Sequence, residues 1–315
     1  MILMFKKISK AIKQINSNSK KIVDHYWKNS MSFSTNFTNK SSVKLSYISY
    51  DTYRSSVSPV VIMHGLFGSK NNWNTLAKAI NKQTKRRVIT VDARNHGDSP
   101  HSSIMTYPSM ADDVKNFLES LDIEKAILIG HSMGGAAMMC TALNYPDIVA
   151  KLLIVDMSPV KTSPSLNQMT DIIDTMLSIK FDNSNTLSEA RKRTDQLLSE
   201  TIKSPSLRQF LLMNVVEKSP REFSWRVNLP VIANNFKNQI AVFPQIIPQL
   251  VNKTFDGPTL FIAGTESDYI KDQDHMAINK LFTNAKITYI EGAGHWVQSE
   301  KPAEFLSVTT AFINQ

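Results

Sequence analysis

Glycine is scarce in this chain of 315 residues: there are ten, with none before Gly65 and none between Gly135 and Gly257. In a glycine-poor chain, those retained mark places where backbone geometry demands them. All ten fall at or beside the ends of the short apolar runs described below. Cysteine is scarcer still. Cys140 stands alone, so no disulfide can form within the chain and an oxidising, secreted setting has no support. Its apolar helical surroundings read as core rather than as a nucleophile's pocket. No apolar run reaches the roughly 18 residues that would cross a bilayer. No His/Cys cluster has metal-ligand spacing, so neither a metal nor a cofactor is expected.

Acidic residues are nearly missing from one end. Residues 1–40 hold eight lysines and a single acid, Asp24, while the whole chain has 36 basic and 27 acidic residues. The formal charge of +9 therefore belongs largely to the leader, and the remainder is close to neutral. Without a basic patch interleaved with aromatics, a nucleic-acid partner is not expected. The leader opens MILMFKKISKAIKQI, with Ile2, Phe5, Ile8, Ile12 and Ile15 spaced as one face of a basic amphipathic helix. Residues 1–39 thus read as a mitochondrial transit peptide, although its basic residues are all lysine. A disordered basic tail or a membrane-surface helix is the competing reading. The hydrophobic share of 42% and charged share of 20% suit a globular body with a sizeable core over residues 40–315.

What that body contains is an alternation. The stretch VKLSYISY from Val43 reads as an edge strand, and Pro59–Met63, Val88–Val91, Ala126–Ile129, Lys151–Val155, Pro258–Ile262 and Lys286–Ile290 read as further short strands. Amphipathic helical segments separate most of them, which predicts a parallel, doubly wound α/β sheet. Residues 158–256 break the pattern with four helical stretches (Met169–Ile179, Leu187–Ile202, Leu207–Val216, Trp225–Phe236), no glycine and no convincing strand. They are expected to form a helical cap inserted between two strands of the sheet.

The chemistry concentrates in Ala126–Met138, AILIGHSMGGAAM. An apolar run, a turn through Gly130-His131-Ser132-Met133-Gly134 and a small-residue helix form the setting of a G-x-S-x-G nucleophile elbow. The bland alternative is a glycine-rich turn with an idle serine. A serine nucleophile needs a base, an acid to orient it, and donors for the oxyanion. Of the seven histidines, His295 is the candidate base. It lies just past the last strand on a Gly-x-Gly loop, and its place last in the chain matches the order Ser…Asp…His. The backbone N–H groups of Leu66, in the loop His64–Gly68, and of Met133 are the candidate oxyanion donors. The acid is less direct. Its usual place, about three residues beyond Gly264, is occupied by Ser267, with Glu266 and Asp268 on either side. Asp156 instead ends the strand after the elbow helix, in IVDMSP, where an ionised group needs a strong partner. Asp156 ranks first and Asp268 second. The polar loop holding Asp92, Arg94, His96, Asp98 and Ser99 is expected to brace the oxyanion loop.

The segments HGLFGSKNNW, VDARNHGDSPHS, GHSMGG, VDMSPV and GAGHWVQSEKP closely resemble the α/β-hydrolase domain-containing protein 11 family, mitochondrial serine hydrolases with bacterial esterase relatives. The resemblance covers about residues 43–315. It implies an α/β-hydrolase fold and hydrolysis of carboxylic or lipid esters, with small-molecule ester or acylglycerol substrates of the diacylglycerol type. It also implies a mitochondrial matrix location, with the cytoplasm as the alternative, and association with matrix enzymes. Within that family an Asp after an R-V-N-L stretch is sometimes assigned as the charge-relay acid. This chain has Pro230 there, after Arg226-Val227-Asn228-Leu229, so the resemblance to the bacterial relatives, which points to Asp156, is the one to follow. The reading from a different class is a non-catalytic binding or scaffold protein on a hydrolase fold.

Overall fold

The computed structural model describes residues 42–51, 57–182, 184–249 and 253–315, so the expected leader over residues 1–39 lies outside the described residues. The strands are, in chain order, β1 (Tyr47–Tyr50), β2 (Val60–Met63), β3 (Val88–Val91), β4 (Ala126–His131), β5 (Val149–Val155), β6 (Val215–Ser219), β7 (Glu222–Trp225), β8 (Thr259–Gly264) and β9 (Ala285–Ile290). Seven of them form one sheet in the order β1-β3-β2-β4-β5-β8-β9. Only β1 runs antiparallel within it, against β3 at the edge. The others are parallel, with Val60 opposite both Val88 and Ile127, and Thr259 opposite Ala285.

Alternation along each strand feeds two cores. Val60 and Ile62 of β2 pack with one helical layer, Val61 and Met63 with the other, and all four are buried. The first layer holds α1 (Asn74–Thr84) and the C-terminal helix α11 (Pro302–Asn314), through Ala77, Ile80, Phe305, Phe312 and Ile313. The second holds α2 (Tyr107–Ser120) and α3 (Met133–Asn144), through Met110, Val114, Phe117, Met138 and Leu143. Helix α3 is buried on nearly every side. Its sequence MGGAAMMCTALN is accordingly apolar all round rather than striped. Central strands covered on both faces by helices are what a parallel sheet requires.

The cap runs between β5 and β8. It contains α4 (Asn167–Ser178), α5 (Leu187–Thr201), α6 (Pro205–Leu212), α7 (Leu229–Asn235) and α8 (Phe243–Ile246). Thr186 and Ser204 cap α5 and α6 by accepting from Glu189 N–H and Leu207 N–H, and Pro205 sits at the first position of α6. The cap is not wholly helical, which corrects the expectation. Two of the helices predicted there stop short: α6 ends at Leu212 and α7 begins only at Leu229, with the hairpin β6–β7 between them. The β-branched pair Val215-Val216 and the alternation that buries Val215 and Phe223 favour strand. The turn has no glycine; Arg221 takes its left-handed position at φ 66°. After β8, residues 265–271 form a loop, and α9 (His275–Leu281) follows a single 3-10 turn, before α10 (Val297–Glu300) and α11.

Candidate active site

The turn between β4 and α3 holds Ser132 at φ 51°, ψ −119°. Such a conformation costs a residue with a side chain about 1–3 kcal/mol. The surroundings enforce it. Ser132 N–H donates to the Val155 carbonyl at 3.1 Å. A Cβ on Gly134 would stand 2.5 Å from the carbonyl oxygens of Met63 and His64, and one on Gly130 would run into the Gly134 carbonyl. Both glycines are thus set by close approach of backbone to backbone.

Opposite the elbow, the loop after β9 carries His295. The buried ring of His131 donates its Nε2–H to the His295 carbonyl at 2.9 Å, and Gly294 N–H donates to Glu300 Oε2 at 2.6 Å. His295 Nδ1–H donates to Asp156 Oδ2 at 2.7 Å. Asp156 is 0% exposed and takes a left-handed conformation at φ 48°, which aspartate tolerates better than most residues. Its carboxylate also accepts from Ser267 Oγ–H at 2.5 Å and Gly264 N–H at 3.3 Å. Three donors answer the cost of burying it. With Nδ1 committed as donor, the other ring nitrogen of His295 is left unprotonated in the neutral imidazole.

The second-ranked acid lies elsewhere. Asp268 accepts from Ser163 Oγ–H at 2.5 Å and from Ser165 N–H and Oγ–H at 3.2 and 2.8 Å, so it pins the beginning of the cap. Partial burial works to raise its pKa, but the Ser163 and Ser165 hydrogen bonds outweigh that and hold it below the usual carboxylate value. Pro230 is exposed at the start of α7. Ser267, at the place where a carboxylate is usual, holds the carboxylate of Asp156 instead. That part was missed from the sequence, though the spacing pointed to the position.

The loop His64–Gly68 rides against the elbow: a Cβ on Gly65 would lie 2.9 Å from His131 Nδ1 and 3.2 Å from Ser132 Cβ. Leu66 and Met133 line the cavity beside Ser132. Met133 is the first residue of α3, where the N–H has no acceptor within the helix. The loop is fixed by the polar segment after β3. Phe67, at φ 62°, donates its N–H to His96 Nε2 at 3.1 Å, and the His96 Nδ1–H donates to the Arg94 carbonyl. Ala93 N–H donates to His64 Nε2 at 3.1 Å, and His64 Nδ1–H donates to the Gly65 carbonyl at 2.8 Å. Both rings are therefore neutral. Burial pushes His96 down to about 3 and lowers His64 and, to about 3, His131. Lys70 joins Asp92 at 2.5 Å and Asp98 at 2.6 Å, and Arg226 of the cap reaches the same Asp98. Asn214 Nδ2–H, also of the cap, donates to the Phe67 carbonyl at 2.8 Å.

Ser132, His295, Leu66 and Met133 face one cavity of about 630 Å³. Its cap side is mostly apolar, with Met169, Ile172, Leu207, Phe210, Leu211 and Met213 beside the polar Ser165 and Gln168. Tyr269 and Trp296, which sequence reasoning passed over, also line it. Cys140 is buried, and burial pushes its thiol up to about 12, far from a reactive thiolate. Among the described residues no cluster could hold a metal ion, and no helix is long and apolar enough to cross a membrane.

The sequence profile of the α/β hydrolase fold matches residues 58–302. The chain belongs to the α/β hydrolase fold family. Within that family it is 44% identical over 254 residues to the mouse protein named sn-1-specific diacylglycerol lipase ABHD11, covering 81% of this chain and 80% of that one. It is 33% identical to the Escherichia coli esterase YbfF, covering 82% and 93% of the two chains. Among solved structures, a marine microorganism esterase superposes with a TM-score of 0.76 at 35% identity, covering 86% of this chain and all of that one. The α/β hydrolase sheet, with its inserted cap, is the architecture described above.

Proposed function

We propose that this α/β hydrolase cleaves carboxylic esters of lipids, diacylglycerol-like acyl esters among them, through an acyl-enzyme on Ser132. That it is an ester-cleaving hydrolase follows from its family and from relatives named as esterases and lipases. The observation that carries the mechanism is the 2.7 Å hydrogen bond from His295 to the buried Asp156, beside a serine held in the left-handed elbow of the same cavity.

In this mechanism Ser132 Oγ attacks the ester carbonyl carbon as His295 Nε2 takes the hydroxyl proton. The negative charge that develops on the carbonyl oxygen is met by the N–H groups of Leu66 and Met133. Collapse of the tetrahedral intermediate expels the alcohol, which receives the proton from His295. Water, deprotonated by the same nitrogen, then attacks the acyl-enzyme and releases the acid. Asp156 holds the imidazole in the tautomer that accepts at Nε2 and stabilises the imidazolium formed in each half. The apolar cap supplies surface for an acyl chain.

The test is hydrolysis of p-nitrophenyl esters from acetate to long chains, and of a diacylglycerol, by wild type and Ser132→Ala. Turnover that rises with chain length and vanishes in the variant is expected. Equal rates in the two proteins, or none with any ester, would return the chain to the binding or scaffold reading. The lysine-rich amphipathic leader supports a further part of the proposal, import into the mitochondrial matrix, and association with enzymes there is proposed from the family resemblance alone. Import of a leader-tagged reporter, and co-purification from matrix extracts, test these two points.

A further inference from the structure

Between α6 and β6 the cap turns at Asn214, which is 4% exposed. Its N–H donates to the Leu211 carbonyl at 2.9 Å, and its carbonyl accepts Arg226 N–H, just past β7, at 2.7 Å. The side chain leaves the cap: Nδ2–H donates to the Phe67 carbonyl at 2.8 Å. A backbone carbonyl can only accept, so the amide must turn its NH2 group to it. From that carbonyl a line of hydrogen bonds runs to the oxyanion site. The peptide joining Phe67 to Gly68 accepts from Asn214 at its oxygen, and its Gly68 N–H donates to the Gly65 carbonyl at 3.0 Å. That second carbonyl, which also accepts His64 Nδ1–H, belongs to the peptide whose N–H is the Leu66 oxyanion donor. Hydrogen bonds chained in this way fix one another's planes and polarise one another. A mere tether between cap and sheet is already made by Arg226 and Asp98. It does not require a buried amide aimed at the one carbonyl that starts this line.

We propose that Asn214 is a positioning residue for the reaction: from the cap, and through the peptides Phe67–Gly68 and Gly65–Leu66, it sets the oxyanion donor of Leu66. The inference rests on the acyl-enzyme reading above. It makes the oxyanion site complete only when the cap is seated, and it separates Asn214 from Arg226, which joins cap to sheet without entering the line.

The experiment measures kcat and KM for p-nitrophenyl butyrate, inhibition by an alkyl trifluoromethyl ketone, and the melting temperature of wild type, Asn214→Leu, Asn214→Ser and Arg226→Ala. The ketone takes Ser132 Oγ at its carbonyl carbon and leaves an oxyanion in the site, so its affinity follows transition-state rather than substrate binding. Outright removal of an oxyanion donor costs roughly 100- to 1000-fold in kcat, and a donor left in place but loosened should cost less, about 10-fold. Asn214→Leu is therefore expected to lower kcat and weaken the ketone by about 10-fold each, with KM within about twofold, while Arg226→Ala changes neither. Asn214→Ser, whose hydroxyl is too short to reach the Phe67 carbonyl, should behave alike and decides the matter if the Leu variant does not fold. Wild-type kcat in the folded Asn214 variants, a change in KM alone, or an equal loss in Arg226→Ala overturns the proposal while leaving the acyl-enzyme intact. Wild type that neither hydrolyses the ester nor binds the ketone removes the acyl-enzyme reading itself, and this proposal with it.

Discussion

Replacing Asp156 by Asn removes one negative charge and almost no volume. The carboxylate is fully buried and receives His295 Nδ1–H at 2.7 Å, Ser267 Oγ–H at 2.5 Å and Gly264 N–H at 3.3 Å. An amide has only one oxygen with which to meet these donors. If it faces His295 and Ser267, its NH2 group faces the Gly264 N–H. If it faces Gly264, the NH2 opposes His295 and drives the ring to the tautomer protonated at Nε2, which cannot act as base. Charge loss alone is worth about 4 kcal/mol for charges about 4 Å apart at an effective dielectric of about 20. That corresponds to roughly 10³ in rate, and the tautomer penalty carries the expected loss of kcat to about 10³–10⁴. The assay is p-nitrophenyl butyrate turnover, with circular dichroism to show that the variant is folded. Asp268→Asn, which loosens only the beginning of the cap, should stay within roughly threefold of wild type. Folded Asp156→Asn with more than about a tenth of wild-type turnover, or collapse of Asp268→Asn instead, would refute the reasoning.

Three other outcomes are expected. Gly134→Ala drives a methyl group to 2.5 Å from two carbonyl oxygens; it should lower stability by about 1–3 kcal/mol or more and abolish activity, read by urea unfolding and ester turnover. The buried neutral rings of His96 and His131 have folded-state values near 3, against 6.5 ordinarily. The unfolded chain therefore binds more protons below 6.5, so these two rings should cost roughly 3 kcal/mol of stability between pH 5.5 and 4.5. Urea titrations across that range check the slope, and a flat profile contradicts it. Arg226→Ala cuts the link between cap and Asp98, whose side chains are 27% and 55% exposed; the expected loss is about 1 kcal/mol or less, visible as a small fall in melting temperature with kcat nearly unchanged.

The doubly wound sheet was legible because its central strands are short apolar runs buried on both faces, and the elbow because Gly130 and Gly134 leave no room for a side chain. Asp156 was legible as a charged residue closing an apolar run, a placement that burial makes costly without a partner. The hairpin was not, because Arg221 performs the turn where a glycine would have announced it. Ser267 was hidden for a different reason. Its part depends on the loop over residues 265–271 after β8, and a local pattern does not carry the geometry of a partner 111 residues away. The polar segment after β3 read correctly as a brace, but its reach into the cap, through Arg226 and Asn228, needed the tertiary structure.

The acyl-enzyme is tested most directly by intact-protein mass spectrometry after treatment with a serine-directed fluorophosphonate, followed by peptide mapping. Wild type should gain one adduct, mapped to Ser132, while Ser132→Ala gains none and has no esterase activity. An adduct on another residue, or undiminished hydrolysis by Ser132→Ala, would contradict the mechanism at its centre.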